Sequence, residues 1–238
     1  MATALNIARR EMTSFFYSPI AYVVMCVFLL MSSLMFLSTV FAPGQPATMR
    51  PLFFWIVWIL VAIVPAISMR LLSEELRSGT VEPLMTSPVT DVQVVLGKWL
   101  GGLGFFAVIL VPTMAYVAFL AAFSQPDYGP IFTGYLGLLL VGGLYMAIGT
   151  FASVMTRNQI IAFLVTVFII LNFTVATYFL PRHLPVEWAQ AIYYLNVNEQ
   201  FDDFAKGLID TSNFVYFLSG TALFLLMAVK ALESRKWR

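Results

Sequence analysis

The sequence predicts an all-α polytopic membrane protein: six transmembrane helices, an interfacial helix ahead of the first, and a charged interfacial helix between the second and the third. Three observations carry this. Of the 238 residues, 61% are apolar and only 11% charged, whereas charged residues make up roughly a quarter of an ordinary water-soluble domain. Six apolar runs of membrane-spanning length follow one another along the chain. The basic residues between those runs fall mostly on one side. One domain over 1–238 is expected.

The first segment is amphipathic. Ala4, Leu5, Ala8, Met12, Phe15 and Phe16 recur at helical spacing while Arg9, Arg10 and Glu11 occupy other faces. Residues 4–17 therefore read as a short helix lying in the membrane surface, turning into the first span at Ser18 and Pro19. A cleaved signal peptide has an apolar region of about 7 to 15 residues, and the run from Ile20 to Phe41 is too long for one.

Spans are expected over 20–41, 51–69, 92–121, 131–154, 159–180 and 212–230. Pro65 either kinks the second span or reflects the ordinary tolerance of proline in membrane helices. The third span is longer than crossing requires and is expected to begin in the cytosolic layer, with Lys98 solvated or snorkelling. The fourth and fifth spans meet in a tight hairpin over 153–159 that carries Arg157.

Placing both termini in the cytosol puts ten basic residues on that side: Arg9, Arg10, Arg70, Arg77, Lys98, Arg157, Lys230, Arg235, Lys236 and Arg238. The other side receives three, Arg50, Arg182 and Lys206. This is the positive-inside asymmetry, and an even number of spans agrees with it. The outer loops at 42–50 and 122–130 are rich in proline and read as compact turns. Residues 181–211 are the exception. There Trp188, Ile192, Tyr193, Phe201, Phe204 and Leu208 are expected to hold short amphipathic helices against the membrane, folding back between the last two spans.

Chemistry-bearing constellations are sparse. No phosphate-binding GxxxxGK[ST] loop is present, and Gly97-Lys98 lacks that context. His183, the single histidine, has no partners in a metal or triad pattern. Cys26, the single cysteine, reads as a small buried hydrophobe. The span interiors offer Ser32, Ser33, Asn172, Thr174, Thr177 and Tyr178, whose hydroxyls and amide are expected to pair with neighbouring helices without contacting a transported compound. Gly97 and Gly101 form a GxxxG pair, and Gly134, Gly137, Gly142, Gly143 and Gly149 recur through the fourth span. Such small faces let helix backbones touch in lipid, within one subunit or between two.

The distinctive stretch is Met69 to Lys98. Leu71, Leu72, Leu76, Leu84 and Met85 give it an apolar side, while Glu74, Glu75, Arg77 and Glu82 present charge to a partner outside the bilayer. Gly79 permits a bend, Thr80 can cap the following turn, and Ser87-Pro88 suits the start of a helix.

The segment ELRSGTVEPLMTSPV, Glu75 to Val89, resembles the E-x-x-x-G-T-x-E-x-L-x-x-x-P-V region of the ABC-2 type transporter permeases. The matching positions are Glu75, Gly79, Thr80, Glu82, Leu84, Pro88 and Val89. Phe201 to Arg238 resembles the subgroup related to the gliding-motility and copper-reductase maturation permeases. The resemblance covers essentially the whole chain. Pro83, directly after Glu82, departs from the pattern and breaks the segment early.

The resemblance implies a permease subunit in a bacterial inner or cytoplasmic membrane, with no enzyme activity and no cofactor of its own. A separate cytosolic ABC ATPase would bind ATP and magnesium. It also implies pairing with a second copy or a paralogous permease, an elbow helix at 4–17, and a coupling helix within 70–85. Glu74, Glu75, Arg77, Gly79, Thr80 and Glu82 would meet the ATPase, with Arg157 as a second, smaller contact. A membrane-anchored subunit with an extracytoplasmic domain is a further candidate partner, lipid surrounds the spans, and no nucleic acid is expected. The alternative is a membrane scaffold regulated by an ATPase, through which no substrate passes.

Overall fold

The computed structural model describes residues 2–41, 47–79 and 89–235, and every regular element among them is helical. Helix α1 (Ala2–Phe16) precedes the first span, α2 (Pro19–Met35), which ends in a wide π-helical turn over Phe36–Val40. The second span is α3 (Arg50–Ser68), followed by the short α4 (Ser73–Ser78). The third is α5 (Asp91–Leu110), continued through a tight turn at Val111–Thr113 into α6 (Met114–Phe123). The fourth is α7 (Tyr128–Met155), and the fifth is α8 (Gln159–Leu171) with a π-helical turn over Asn172–Ala176. Two short helices, α9 (Val186–Tyr193) and α10 (Val197–Ala205), precede the last span, α11 (Thr211–Arg235).

Among the described residues six helices are long and apolar enough to cross a membrane, at the positions expected. Helix α3 runs unbroken through Pro65, whereas the third span is interrupted at Pro112, a residue that supplies no N–H to the helical ladder. Thr113 Oγ1 donates to the Leu110 carbonyl at 2.6 Å, so the 2.9 Å contact with Tyr135 leaves the Tyr135 hydroxyl as donor. Helix α5 starts on a reciprocal cap: Thr90 Oγ1 accepts from the Gln93 amide while Gln93 Oε1 accepts from the Thr90 amide.

Helix α7 is the axis of the bundle, and α3, α5, α8, α10 and α11 pack around it. Its glycines explain how. A side chain at Gly142 would occupy the space of the Phe106 ring, and one at Gly134 that of Phe53. In lipid, hydrophobic burial supplies little association energy, so such close packing holds the helices together. Phe53, Phe106, Leu138, Val141 and Met146 are fully or almost fully buried in the resulting core.

Three expectations are corrected. Cys26 is exposed on the outer side of α2 and not in the core, because the inward positions of that helix are Ala21, Val24, Phe28 and Ser32. The apolar side of helix α10 is turned onto the bundle. Val197, Phe201 and Phe204 are buried against the bundle, where Thr133 Oγ1 donates to the Phe204 carbonyl at 2.6 Å. Trp188, Tyr193 and Leu208 remain exposed. Asn172 is satisfied within its own helix, donating to the Phe168 carbonyl at 2.8 Å, and needs no neighbouring helix.

Candidate functional site at the charged end of the bundle

The charged groups of α1, α4 and α5 converge on one lysine. Lys98 lies in the second turn of α5 and is only 1% exposed, which corrects the expectation that it is solvated. Its ammonium sits 2.9 Å from Glu11 Oε1 of α1 and 2.8 Å from Glu75 Oε1 of α4. Arg10 lies 3.8 Å from the same Glu75 oxygen. Snorkelling is ruled out because α1 covers the helix face from which Lys98 projects. Burial of a charge is costly without a counter-charge, and two carboxylates from two other elements supply it.

The cover is close because α5 carries no side chain where α1 crosses it. An added Cβ at Gly97 would lie 2.8 Å from Ile7 Cβ and 2.9 Å from the Ala4 carbonyl. At Gly101 it would lie 2.6 Å from Glu11 Cβ and 2.9 Å from the Ala8 carbonyl. The GxxxG face is thus occupied by α1 of the same chain. Farther along α1, Phe15 stacks on Phe105 with ring centroids 4.7 Å apart, and the Arg70 guanidinium lies 4.1 Å above the Phe15 ring.

Helix α4 is anchored on its apolar side by Leu72 and Leu76, both buried. Its start is held by a residue from another span. Ser153 Oγ, near the end of α7, accepts from the amides of Leu72 at 3.0 Å and Ser73 at 2.8 Å and donates to the Met69 carbonyl at 3.0 Å. One hydroxyl therefore uses its full donor and acceptor capacity to close the end of α3 and open α4. Ser73 Oγ adds a bond to the same Met69 carbonyl.

The expected contact residues divide. Glu74 and Arg77 are exposed, whereas Glu75 is turned inward to Lys98, and its second oxygen, Oε2, is buried with no hydrogen-bond partner. Gly79 ends α4 with φ of 75°, the left-handed conformation that glycine adopts without penalty. Thr80 and Glu82, like Ser87 and Pro88, lie outside the described residues. Arg157 is exposed in the hairpin between α7 and α8, near the point where Arg235 donates to the Met155 carbonyl at 2.8 Å.

Sequence reasoning missed Glu11, Ser153 and the inward role of Glu75. A signal existed for the first: Ala4, Ala8 and Glu11 form a stripe of two small residues and a carboxylate on α1, matching Gly97, Gly101 and Lys98 on α5. Ser153 carried no signal, since a serine near a helix end is commonplace. Among the described residues no group of three or more histidine, cysteine, aspartate or glutamate side chains is placed to hold a metal ion.

No curated protein matches the chain. The family model described as ABC-2 family transporter protein matches residues 44–229, from just before α3 to near the end of α11. This is well over half of the chain and includes α4, the lysine of the buried cluster and Ser153. The chain therefore belongs to the ABC-2 family as a multi-pass membrane permease, a family whose members are not catalytic ATPases and in general imply a cognate ATPase partner.

Proposed function

We propose that this chain is the permease subunit of an ATP-driven export or motility complex, with both termini in the cytosol of a bacterial cell. The 70–85 region receives the movement of the ATPase. Exposed Glu74 and Arg77, with Gly79, Thr80 and Glu82 beyond, form the contact. Arg157 provides a second one on the neighbouring hairpin.

The observation that carries the proposal is the buried Lys98 bridging Glu11 of α1 and Glu75 of α4. A solvated loop has no need of such a bridge. A displaced lever does, because a push on α4 then reaches the interfacial helix and the third span through charge pairs, and the fourth span through Ser153. Two permease subunits, identical or paralogous, would move against each other to transmit work to a substrate or to a membrane-anchored partner. The likeness of the C-terminal region to the gliding-motility and copper-reductase maturation permeases supports an extracytoplasmic subunit.

The test is purification of the intact protein in mild detergent, identification of any co-purified ATPase, and measurement of its ATP hydrolysis. Glu74→Ala with Arg77→Ala removes the exposed contact and leaves the Lys98 bridge in place. Loss of the ATPase, or hydrolysis uncoupled from the permease, is expected. Retention of a fully coupled ATPase by this variant overturns the assignment. Coupling without any displaced substrate or partner favours the regulated scaffold.

A further inference from the structure

The third span is one apolar run in the sequence and two bodies in the fold. Its inner half, α5, carries Lys98 and is tied to the bundle axis: Trp99 Nε1 donates to the Gly143 carbonyl of α7 at 3.0 Å, and the Phe106 ring lies against Gly142. Its outer half, α6, is tied elsewhere. Among the described residues, every ring contact and side-chain hydrogen bond between α6 and another span runs to α2, its wide turn, or Phe41 just beyond.

Phe36 stacks on Tyr116 with centroids 4.9 Å apart, and Phe41 meets Phe119 at 5.0 Å. The Tyr116 hydroxyl lies 3.1 Å from Ser32 Oγ and 3.3 Å from the Leu29 carbonyl, and Ser32 Oγ lies 3.1 Å from the same carbonyl. Whichever hydroxyl donates to the carbonyl, the other donates to its neighbour, so both protons are used at α2. Little else holds the segment. Leu120 is the one buried residue of α6, whereas half of α5 is buried. Apolar burial adds little to helix association in lipid, so the Tyr116 hydroxyl and the aromatic contacts carry the attachment.

The joint between the halves is already closed on itself. Pro112 has no N–H to donate to a helical ladder. The Val108 carbonyl accepts from the Val111 amide, the Val111 carbonyl from the Met114 amide, and the Leu110 carbonyl from Thr113 Oγ1 at 2.6 Å. A tilt of α6 therefore breaks no bond donated by Pro112. Thr113 is fully buried and fixes the turn to α7 through its 2.9 Å bond with Tyr135. A few element-terminal residues that absorb a change of angle are the ordinary form of a hinge.

We propose that α6 is a hinged segment, pivoting at Thr113 on α7 and latched to the first span by Tyr116 and Ser32. Release of the latch parts the first and third spans in the outer half of the bundle alone, while α5 keeps its place. The hinge stands apart from the ATPase contact, and its test does not require the ATPase.

With Cys26→Ala removing the exposed native thiol, spin labels are attached to two cysteine pairs in lipid nanodiscs and distances are measured by double electron–electron resonance. Ala122→Cys with Phe168→Cys reports α6 against α8, and Leu100→Cys with Phe168→Cys reports α5 against α8; all three positions are exposed. Tyr116→Phe with Ser32→Ala should roughly double the width of the Ala122–Phe168 distribution and leave the Leu100–Phe168 distribution unchanged. Adding Pro112→Ala, which restores the missing N–H, should narrow it again. Tyr116→Phe alone, which keeps the ring stack, serves if the double variant does not fold. A distribution as narrow as the parent's after loss of the latch, equal broadening of both pairs, or undiminished breadth with Pro112→Ala overturns the proposal.

Discussion

Lys98 Nζ and Glu75 Oε1 are 2.8 Å apart, and the lysine is almost completely buried. The pair joins the third span to the short helix after the second. A charge pair in such a place is held by geometry, because separating the two leaves each charge in a poorly solvating environment. A displacement of α4 relative to α5 would therefore separate two charges that their surroundings solvate poorly.

Lys98→Met leaves Glu11 and Glu75 without their buried counter-charge. A loss of about 3–5 kcal/mol is expected from breaking a buried pair on one side, read as a lowered unfolding temperature in detergent. Combining it with Glu11→Gln and Glu75→Gln should recover most of that loss. A single variant as stable as the parent would show that the bridge is not a structural constraint.

Ser153→Ala removes one donor and two acceptor contacts at once and leaves the Leu72 and Ser73 amides unsatisfied. Each buried unpaired group costs about 1–3 kcal/mol. The distinctive readout is local. Hydrogen exchange should accelerate at Leu72 and Ser73 before it changes in the middle of α3, and uniform acceleration would argue against a clamp at this position.

Gly101→Leu forces α1 away from α5, since even a Cβ would crowd Glu11. Overpacking of this kind costs about 1–3 kcal/mol. Trypsin should then cut faster after Arg9 and Arg10, while the oligomeric state in detergent stays that of the parent. A dimer lost with α1 still protected would instead assign the glycine pair to contact between subunits.

Tyr145→Phe is expected to be neutral or stabilising by up to about 1 kcal/mol, because the hydroxyl removed is buried in α7 without a hydrogen-bond partner. Thermal unfolding in detergent measures it. A clear loss of stability would mean that the hydroxyl is paired in the assembled complex.

The hydrogen bond with Glu199, together with burial, pushes the Tyr193 phenol up to about 12 from its usual value of 10. A raised folded value means that the contribution is complete below pH 10 and declines as pH rises toward 12. A difference titration of the parent against Tyr193→Phe, followed by phenolate absorbance, should place this group in that window. A Glu199→Gln variant should lower it.

The spans were legible because lipid imposes a length and a composition on any helix that crosses it. Gly79 was also legible, since its bend requires left-handed backbone. The break at Pro112 and the wide turns at Phe36–Val40 and Asn172–Ala176 were not. Each depends on which helix lies opposite, and an apolar run is much the same on every side.

By itself the sequence determined that this is a six-span helical protein with a charged element after the second span, because hydropathy and charge act locally along the chain. Only the tertiary structure decided that Lys98 is buried, that α1 occupies the Gly97 and Gly101 face, and that Ser153 holds the start of α4. Those relationships join residues far apart in the chain, and they arise from shape complementarity and the need to satisfy buried polar groups when separate helices meet.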